Sequence, residues 1–326
     1  WRCIAPGAGT LHDENKHSYY SDENSLERHH LLYNKEIRLF TVVLSLFIRG
    51  VRLLSTALPQ NKKGWQAMLD LRFQRLHGKT TLTTRHHVGP LTVQRPFYPE
   101  EETCHLCLLH PPGGIVGGDE LIINAIIDSD CHTLITMPGA SKFYRSSGAQ
   151  AHLQQNLTLC NNATLEWLPQ DSIFFPGAHA TLHTVFHLSS SSTLLAWDLL
   201  CLGRPVIGET FSHGTLANRL EIWVDGSPLL IERLHVANGE LTCVARKPWV
   251  GTMLFYLGNE TQLEDIREKL TPLENYAGAT LTDGLLTVRF LSDDNLRCQQ
   301  VMRDIWQFMR PQLTDKSPVL PRIWLT

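Results

Sequence analysis

The motif most typical of a metal site in this chain is Cys104-His-Leu-Cys107, with His110 close behind it. A Cys-x-x-Cys pair binds zinc when a tight turn brings both thiolates to one ion, usually together with a second pair. No second pair occurs in the sequence. The segment has the composition of a β-strand, in which positions three apart point to opposite faces. A strand is the favoured interpretation, and a zinc or redox site is the alternative.

Three histidines, His179, His183 and His187, recur every four residues. On a helix they would form one ligand-bearing face, but the Thr, Val and Phe residues between them favour a strand. In a strand they share a face, yet neighbours lie ~13 Å apart, which is too far to hold one ion. We expect a polar sheet face, with a polar channel as the alternative.

The glycine-rich segment Gly113-Gly-Ile-Val-Gly-Gly-Asp119 could bind a phosphate through its backbone amides. Its spacing fits neither Gly-x-Gly-x-x-Gly nor a Gly-Lys-Ser/Thr ending, and a β-branched segment follows instead of a helix. We predict a tight turn in which several residues adopt positive φ, with Asp119 pointing inward or capping the turn.

Ser141 and Lys142 are adjacent, and a desolvated lysine can act as the base for a serine nucleophile. Neighbouring residues of an extended segment face opposite sides, however, so we expect a turn with one polar group inside and the other outside. A hydrolase that uses Ser141 and a histidine instead of Lys142 is the third functional alternative.

Asp198 and Glu232 are carboxylates within otherwise apolar strands. A buried charge is costly unless it is paired or hydrated. One interpretation pairs them with nearby arginines such as Arg204 and Arg233. The other places them beside internal water, where oxygen ligands would suit a divalent cation in passage.

The elements that must position these groups are mostly strands. From residue 64 onward, short β-type segments are separated by Pro-Gly, Asp-Gly and Asn-Gly breakers, one of these segments being Leu241 to Ala245. Helical periodicity occurs only late: Thr261 to Leu270 predicts a short helix, and a second follows an N-cap at residues 292–294 and ends at Pro311. The sequence therefore predicts an all-β fold with two helices near the C-terminus.

Bulk composition excludes several classes of protein. The 29 Lys and Arg residues balance 32 Asp and Glu, which does not favour a nucleic-acid partner, and the longest apolar run, Leu39 to Ile48, is too short to span a membrane. Eight scattered cysteines are typical of reduced thiols, so we expect a cytoplasmic protein. Residues 1–57 lack a periodic apolar face, and we expect a disordered or upstream-derived extension before a single domain at 58–326.

Four motifs then indicate a family. They are His110-Pro-Pro-Gly-Gly-Ile-Val-Gly-Gly-Asp119, Pro138-Gly-Ala-Ser-Lys-Phe-Tyr-Arg145, Glu166-Trp-Leu-Pro-Gln-Asp171 with Phe174-Phe-Pro-Gly177, and Gly203-Arg-Pro-Val-Ile-Gly-Glu-Thr-Phe211. Taken together and in this order, they resemble motifs of the urease accessory protein D family. The ending Val319-Leu-Pro-Arg-Ile-Trp-Leu-Thr326 resembles that of enterobacterial members. The Cys104 and Cys107 pair is not part of the family pattern.

The resemblance implies a β-solenoid-like stack of short strands and a non-catalytic role in urease maturation. Members bind urease accessory protein F, which recruits the GTPase accessory protein G, and the assembly docks on apo-urease to insert nickel. An internal hydrated tunnel would carry nickel in transit, with no tightly bound cofactor. By this implication Asp119, Ser141, Asp198 and Glu232 are candidates for tunnel-lining groups.

Partner binding has its own candidates. The C-terminal segment holds more large apolar side chains than a short helix and tail can easily bury, which makes Trp306, Phe308 and Trp324 candidates for contact with a partner. The alternative function, from a different class, is an all-β protein-binding module without a metal role.

Overall fold

The computed structural model describes residues 64–325 and consists mainly of strands in two sheets. The predicted extension at residues 1–57 lies outside the described residues. The strands are, in chain order, β1 (Gln66–Leu76), β2 (Lys79–Val88), β3 (Thr92–Val93), β4 (Cys104–Leu109), β5 (Glu120–Ile127), β6 (His132–Thr136), β7 (Ser141–Phe143), β8 (Ala151–Leu159), β9 (Thr164–Leu168), β10 (Ser172–Phe174), β11 (His179–Leu188), β12 (Thr193–Arg204), β13 (Glu209–Thr210), β14 (Thr215–Val224), β15 (Ser227–Val236), β16 (Trp249–Tyr256), β17 (Ala277–Thr282) and β18 (Leu285–Ser292).

The long strands of the central region alternate between the two sheets, one per sheet in each coil. The first sheet has the order β15-β14-β11-β8-β5-β1-β2, and the second has the order β17-β18-β16-β12-β9-β6-β4-β3 with β7, β10 and β13 attached through β12. Pairing is parallel along β5, β8, β11 and β14, and along β4, β6, β9 and β12. Parallel neighbours in a stack of coils form a β-solenoid, which confirms the predicted fold class.

Two hydrophobic cores lie on opposite faces of the second sheet, and β12 contributes to both. Its even-numbered residues, such as Leu194 and Leu200, pack between the sheets, whereas Leu195 and Leu199 pack against the helical side. This alternation follows from the two-residue repeat of a strand. Asp198 has even parity, so the register directs its carboxylate into the space between the sheets.

Two helices cover the outer face of the second sheet, α1 (Glu260–Lys269) and α2 (Asn295–Thr314). Helix α1 begins with a capping box between Asn259 and Gln262, and α2 begins at the cap Asp294, within the predicted N-cap segment. The prediction that α2 ends at Pro311 was wrong, because the helix continues for three more residues. Side-chain bonds hold this last turn: Thr314 Oγ1 donates to the carbonyl of Arg310 at 2.8 Å.

The predicted strand Leu241 to Ala245 was also wrong. Residues Thr242–Val244 form a short 3-10 helix that follows β15. Ala245 and Arg246 both adopt positive φ, at 51° and 59°, which reverses the chain direction and is incompatible with a strand. Val244 of this turn is buried in the core between the sheets, and Leu241 packs against that core.

Candidate functional site

Ser141 and Asp198 line one narrow space between the two sheets. Its volume is about 30 Å³, and its polar lining also includes Gln155 and Thr252. The Ser141 hydroxyl lies 3.8 Å from Sδ of Met137. Lys142, the next residue, is exposed, so the two groups of the hypothetical Ser/Lys nucleophile face opposite directions, as predicted. The structure thus brings together two of the four candidate tunnel-lining residues.

The Asp198 carboxylate has an unusual environment for a charge. It accepts one hydrogen bond, from Asn218 Nδ2 on β14 at 3.2 Å. Burial raises the pKa of Asp198 from 3.8 to about 6; the Asn218 hydrogen bond opposes this shift, and the negative charge of Glu232 adds to it. A buried carboxylate that repels a second one favours the arrival of a cation.

A wider space of about 530 Å³ begins where the narrow one ends, and Asp198, Leu220 and Thr252 line both. Glu232 lies on its wall. It forms a forked ion pair with Arg289, whose Nε lies 2.9 and 3.0 Å from the two carboxylate oxygens and whose Nη2 lies 2.8 Å from Oε2.

The two arginines suggested from the sequence, Arg204 and Arg233, are not the ion-pair partners of Asp198 and Glu232. Arg204 pairs with Glu209 at 2.7 Å, and Arg233 is exposed at the margin of the wider space. The suggested pairing of Asp198 and Glu232 with Arg204 and Arg233 was therefore wrong. The partner of Glu232 comes instead from the other sheet, 57 residues away.

A third space of about 150 Å³ adjoins the narrow one on its other side. Pro169, Gln170 and Trp197 line both, and the outer part of the third space is lined by Asp171, Arg303 and Trp324, among others. The three adjoining spaces thus extend from the region of α2 and the C-terminal tail, past Asp198, to Glu232.

Asp119 lies elsewhere and has a structural partner for each oxygen. Oδ1 accepts from the backbone amide of Trp65 at 2.8 Å and Oδ2 from that of Val116 at 2.9 Å. Gly113 and Gly118 have φ of 72° and 97°. These values confirm the predicted positive-φ turn. Both placements predicted for Asp119 are observed, because its side chain is buried and its oxygens cap the turn. Asp119 lines none of the three adjoining spaces.

The cysteine pair and the series of three histidines both lie in strands, as predicted. Cys104 and Cys107 are buried in β4 with free thiols. His183 Nε2 contacts Glu221 Oε1 at 2.8 Å, and His179 Nδ1 contacts Thr215 Oγ1 at 2.9 Å, so two of the three histidines bond to the neighbouring strand β14, whereas His187 is exposed. Within residues 64–325, no group of three or more His, Cys, Asp or Glu side chains could hold a metal ion.

The three partner-binding candidates differ in exposure. Trp306 is fully buried, whereas Phe308 and Trp324 are half-buried. The Trp324 ring stacks on Trp197 with centroids 5.2 Å apart, and its Nε1 donates to Thr136 Oγ1 at 3.0 Å. A partner could contact Phe308 and Trp324 on the present surface, but Trp306 only after displacement of α2.

A buried polar cluster anchors α2, and sequence reasoning missed it. Both Arg310 and Glu166 are fully buried; Arg310 Nε donates to each Glu166 oxygen at 3.0 Å, and its Nη2 reaches Glu100 at 2.7 and 2.9 Å. Trp306 Nε1 and His132 Nε2 each lie 2.8 Å from Glu166. The available signal was Arg310 itself, which lies one helical turn after Trp306 on an otherwise apolar face.

Comparison with known proteins assigns a family. Residues 66–325 match the family model described as UreD urease accessory protein. The chain is 73% identical over 269 residues to the urease accessory protein UreD of Klebsiella aerogenes, which covers 82% of this chain and 100% of that protein. It is 49% identical over 268 residues to UreD of Pseudomonas entomophila (strain L48), which covers 82% and 97%.

A UreD homolog of Escherichia coli O157:H7 is 99% identical over 247 residues, which covers 76% of this chain and 100% of that protein. Neither helix of the described residues has the length and apolar character needed to cross a membrane.

Proposed function

This chain belongs to the UreD family of urease accessory proteins, and on that premise we propose that it conducts nickel ions through its interior to the urease apoprotein. Nickel is cargo in transit, and no cofactor is tightly bound. The chain has no catalytic role of its own and acts in the cytoplasm, where the seven free cysteines of the described residues stay reduced.

The observation that carries this proposal is the placement of Ser141, Asp198 and Glu232 along two adjoining spaces, a narrow one between the sheets and a wider one that reaches solvent beside Glu232. Conduction needs binding that is favourable enough to admit an ion and weak enough to release it. Hydroxyl and carboxylate oxygens, spaced along a path, meet this requirement for nickel better than a closed cage of thiolates or imidazoles. Asp119, whose oxygens cap a turn, is proposed to act in folding instead.

We propose that the urease accessory proteins F and G bind this chain while it contacts apo-urease. The C-terminal segment is the proposed docking region for F, since Phe308 and Trp324 are half-buried there and Leu296, at the start of α2, is 76% exposed. Large, partly exposed apolar side chains are typical anchors of protein interfaces.

The test is the nickel content of urease purified from cells that carry Glu232→Leu. We expect a severalfold loss of nickel and of urease activity, because the variant removes the charge beside the wider space. The matched control is Glu264→Gln, which removes a carboxylate from the exposed pair with Arg267 on α1 and should leave delivery unchanged. Pull-down of the complex with F and G must be normal for both variants. Full nickel loading with Glu232→Leu would contradict conduction.

The second candidate function is a protein-binding module without a metal role. It is favoured by the 3-10 turn Pro205–Ile207, where Val206 and Ile207 are 90% and 62% exposed. Two adjacent exposed apolar side chains are typical of a contact surface. If Val206→Ser with Ile207→Ser abolishes assembly on apo-urease, while Glu232→Leu leaves nickel loading intact, the module function is favoured.

A further inference from the structure

One row of side chains crosses the second sheet beneath the wider space. Backbone register aligns Asp198 on β12 with Thr252 on β16, Thr252 with Arg289 on β18, and Arg289 with Gly278 on β17. Because aligned residues of adjacent strands share a face, the first three side chains all point towards the first sheet. A Cβ atom added at Gly278 would contact nothing within 4 Å, so the row ends in open space beside Arg289.

The first sheet presents complementary groups to this row. Asn218 donates to Asp198, and Glu232 on β15 accepts the forked pair from Arg289. The guanidinium therefore occupies both oxygens of Glu232, one of the two carboxylates that line the wider space. A divalent cation that enters this space meets Glu232 already neutralised, and the nearest uncompensated carboxylate is Asp198.

The Arg289 and Glu232 pair is poorly suited to hold the two sheets together. Its side chains are 42% and 31% exposed. Solvent contact of this degree screens the pair, and ordering two long side chains is unfavourable, so its contribution to stability is modest even though the forked geometry is the strongest arrangement for an exposed pair. A divalent cation carries twice the charge of a guanidinium. It can therefore displace Arg289 from Glu232 in a pair that water already screens.

We propose that Arg289 is a displaceable counter-ion that gates the wider space: its guanidinium occupies the cation position at Glu232 and moves towards Gly278 when a divalent cation arrives. The inference rests on the proposed conduction of nickel and adds its regulation. In the resting protein the arginine keeps cations from settling at Glu232, and after the ion leaves it returns, so binding stays weak enough for release. Arg289 is thus a positioning residue that acts through Glu232.

The test is a titration of the full chain, purified with accessory protein F, with Ni²⁺ alone. Arg289→Gln should bind Ni²⁺ about tenfold more tightly than the parent, because one competing positive charge near the carboxylates is removed in a partly solvated site. The double variant Arg289→Gln with Glu232→Gln should return to the parent affinity or below it. Arg289→Lys keeps the charge and should stay near the parent. The matched control, Arg75→Gln on β1, breaks an exposed pair with Glu102 whose side chains are 35% and 48% exposed, and it should change nothing.

Unchanged or weaker Ni²⁺ affinity in Arg289→Gln, together with a lower unfolding temperature, would show that the pair is only a structural contact and would overturn the gate. Tighter binding that persists in the double variant would also overturn it, since the competition would not be at Glu232. Failure of conduction itself is a separate result, namely full nickel loading of urease in cells with Glu232→Leu, whatever the titrations give.

Discussion

At the scale of single residues, the interior carboxylate of Asp198 stands out because it is ionised at neutral pH with only one hydrogen bond, from Asn218. Burial of such a charge lowers stability unless a cation or water compensates it. Burial between the sheets places Asp198 beside the proposed path and also makes its charge unfavourable. Unfolding experiments can measure this unfavourable free energy.

We predict that Asp198→Asn stabilises the protein at pH 7.5. The folded pKa of about 6 exceeds the ordinary value of 3.8, so the folded state binds more protons than the unfolded state between these values. The destabilisation of the parent protein by the Asp198 charge is therefore fully present above pH 6 and decreases as the pH falls towards 4. The shift corresponds to a difference on the order of 3 kcal/mol between the variants at pH 7.5.

Denaturant unfolding of the parent and Asp198→Asn at several pH values between 5 and 8 measures this difference. The gap should narrow as the pH falls, because the parent carboxyl becomes neutral like the amide. A gap that is constant with pH would mean that the charge of Asp198 is already compensated in the folded protein.

Asp119 illustrates what sequence reasoning can and cannot resolve for one residue. The glycine pattern around it predicted a turn with Asp119 pointing inward or capping it, and the structure shows a buried Asp119 that caps the turn. The family resemblance suggested a tunnel role instead. The sequence could not predict that its two oxygens accept hydrogen bonds from the backbone amides of Trp65 and Val116, because Trp65 lies 54 residues away.

We predict that Asp119→Asn lowers the free energy of unfolding by about 1–3 kcal/mol, because the amide can accept only one of the two backbone hydrogen bonds. Asp119→Leu, which accepts neither, should be worse. Unfolding midpoints measure both. Any loss of urease activation should parallel the loss of folded protein; a stable Asp119→Asn protein that fails to deliver nickel would restore Asp119 to the conduction path.

At the scale of elements, α2 shows how a helix can be predicted while its attachment cannot. Periodic apolar residues and the cap at Asp294 defined the helix, and Pro311 wrongly predicted its end. The attachment depends on Glu166 and Glu100, which are distant in sequence and come from β9 and the segment before β4. Short strands such as β3, β7 and β13 were missed because two or three residues carry no periodicity.

The buried cluster predicts a strong response to removal of one partner. Burial raises the pKa of Glu166, but the hydrogen bond and charge of His132, the charge of Arg310 and the hydrogen bond from Trp306 outweigh it, and the pKa is lowered. Arg310→Met would leave the buried Glu166 without the guanidinium that contacts both of its oxygens. We expect a loss of about 3–5 kcal/mol in the free energy of unfolding.

Combining Arg310→Met with Glu166→Gln should be less destabilising than the sum of the single variants, because the unpaired buried charge is then absent. Denaturant unfolding of the four proteins forms the cycle. Additive effects would show that Arg310 and Glu166 are held independently and that the cluster does not anchor α2 as a unit.

At the scale of the whole described domain, the solenoid explains how polar groups from distant segments border one path. Alternating strands predicted the all-β class, and the apolar composition of β12 and β15 indicated two carboxylates in apolar strands. Asp198 does face the space between the sheets, whereas the Glu232 side chain is 31% exposed beside Arg289. The sequence could not predict that β12 and β15 belong to different sheets, nor that Arg289 on β18 would face Glu232. Those relations depend on how the coils stack, which no local pattern encodes.

The narrowest part of the path yields the last prediction. The space beside Ser141 and Asp198 has a volume of about 30 Å³, which is room for about two water molecules at most. A fully hydrated nickel ion does not fit, so an ion in passage must exchange most of its water for protein oxygens, such as those of Ser141 and Asp198. Conduction is therefore sensitive to volume at Ser141 as well as to charge.

We predict that Ser141→Leu lowers the nickel content of urease severalfold, because the larger side chain fills this space. Ser141→Ala removes one of several oxygens but leaves the space open, so its effect should be clearly smaller. Nickel and activity of urease from cells with each variant are the measurement, with the amount of complex recovered with F and G as the control. Equal loss in both variants would mean that the hydroxyl is the essential feature. Full loading with Ser141→Leu, in a protein whose unfolding midpoint is unchanged, would mean that nickel does not travel between the two sheets.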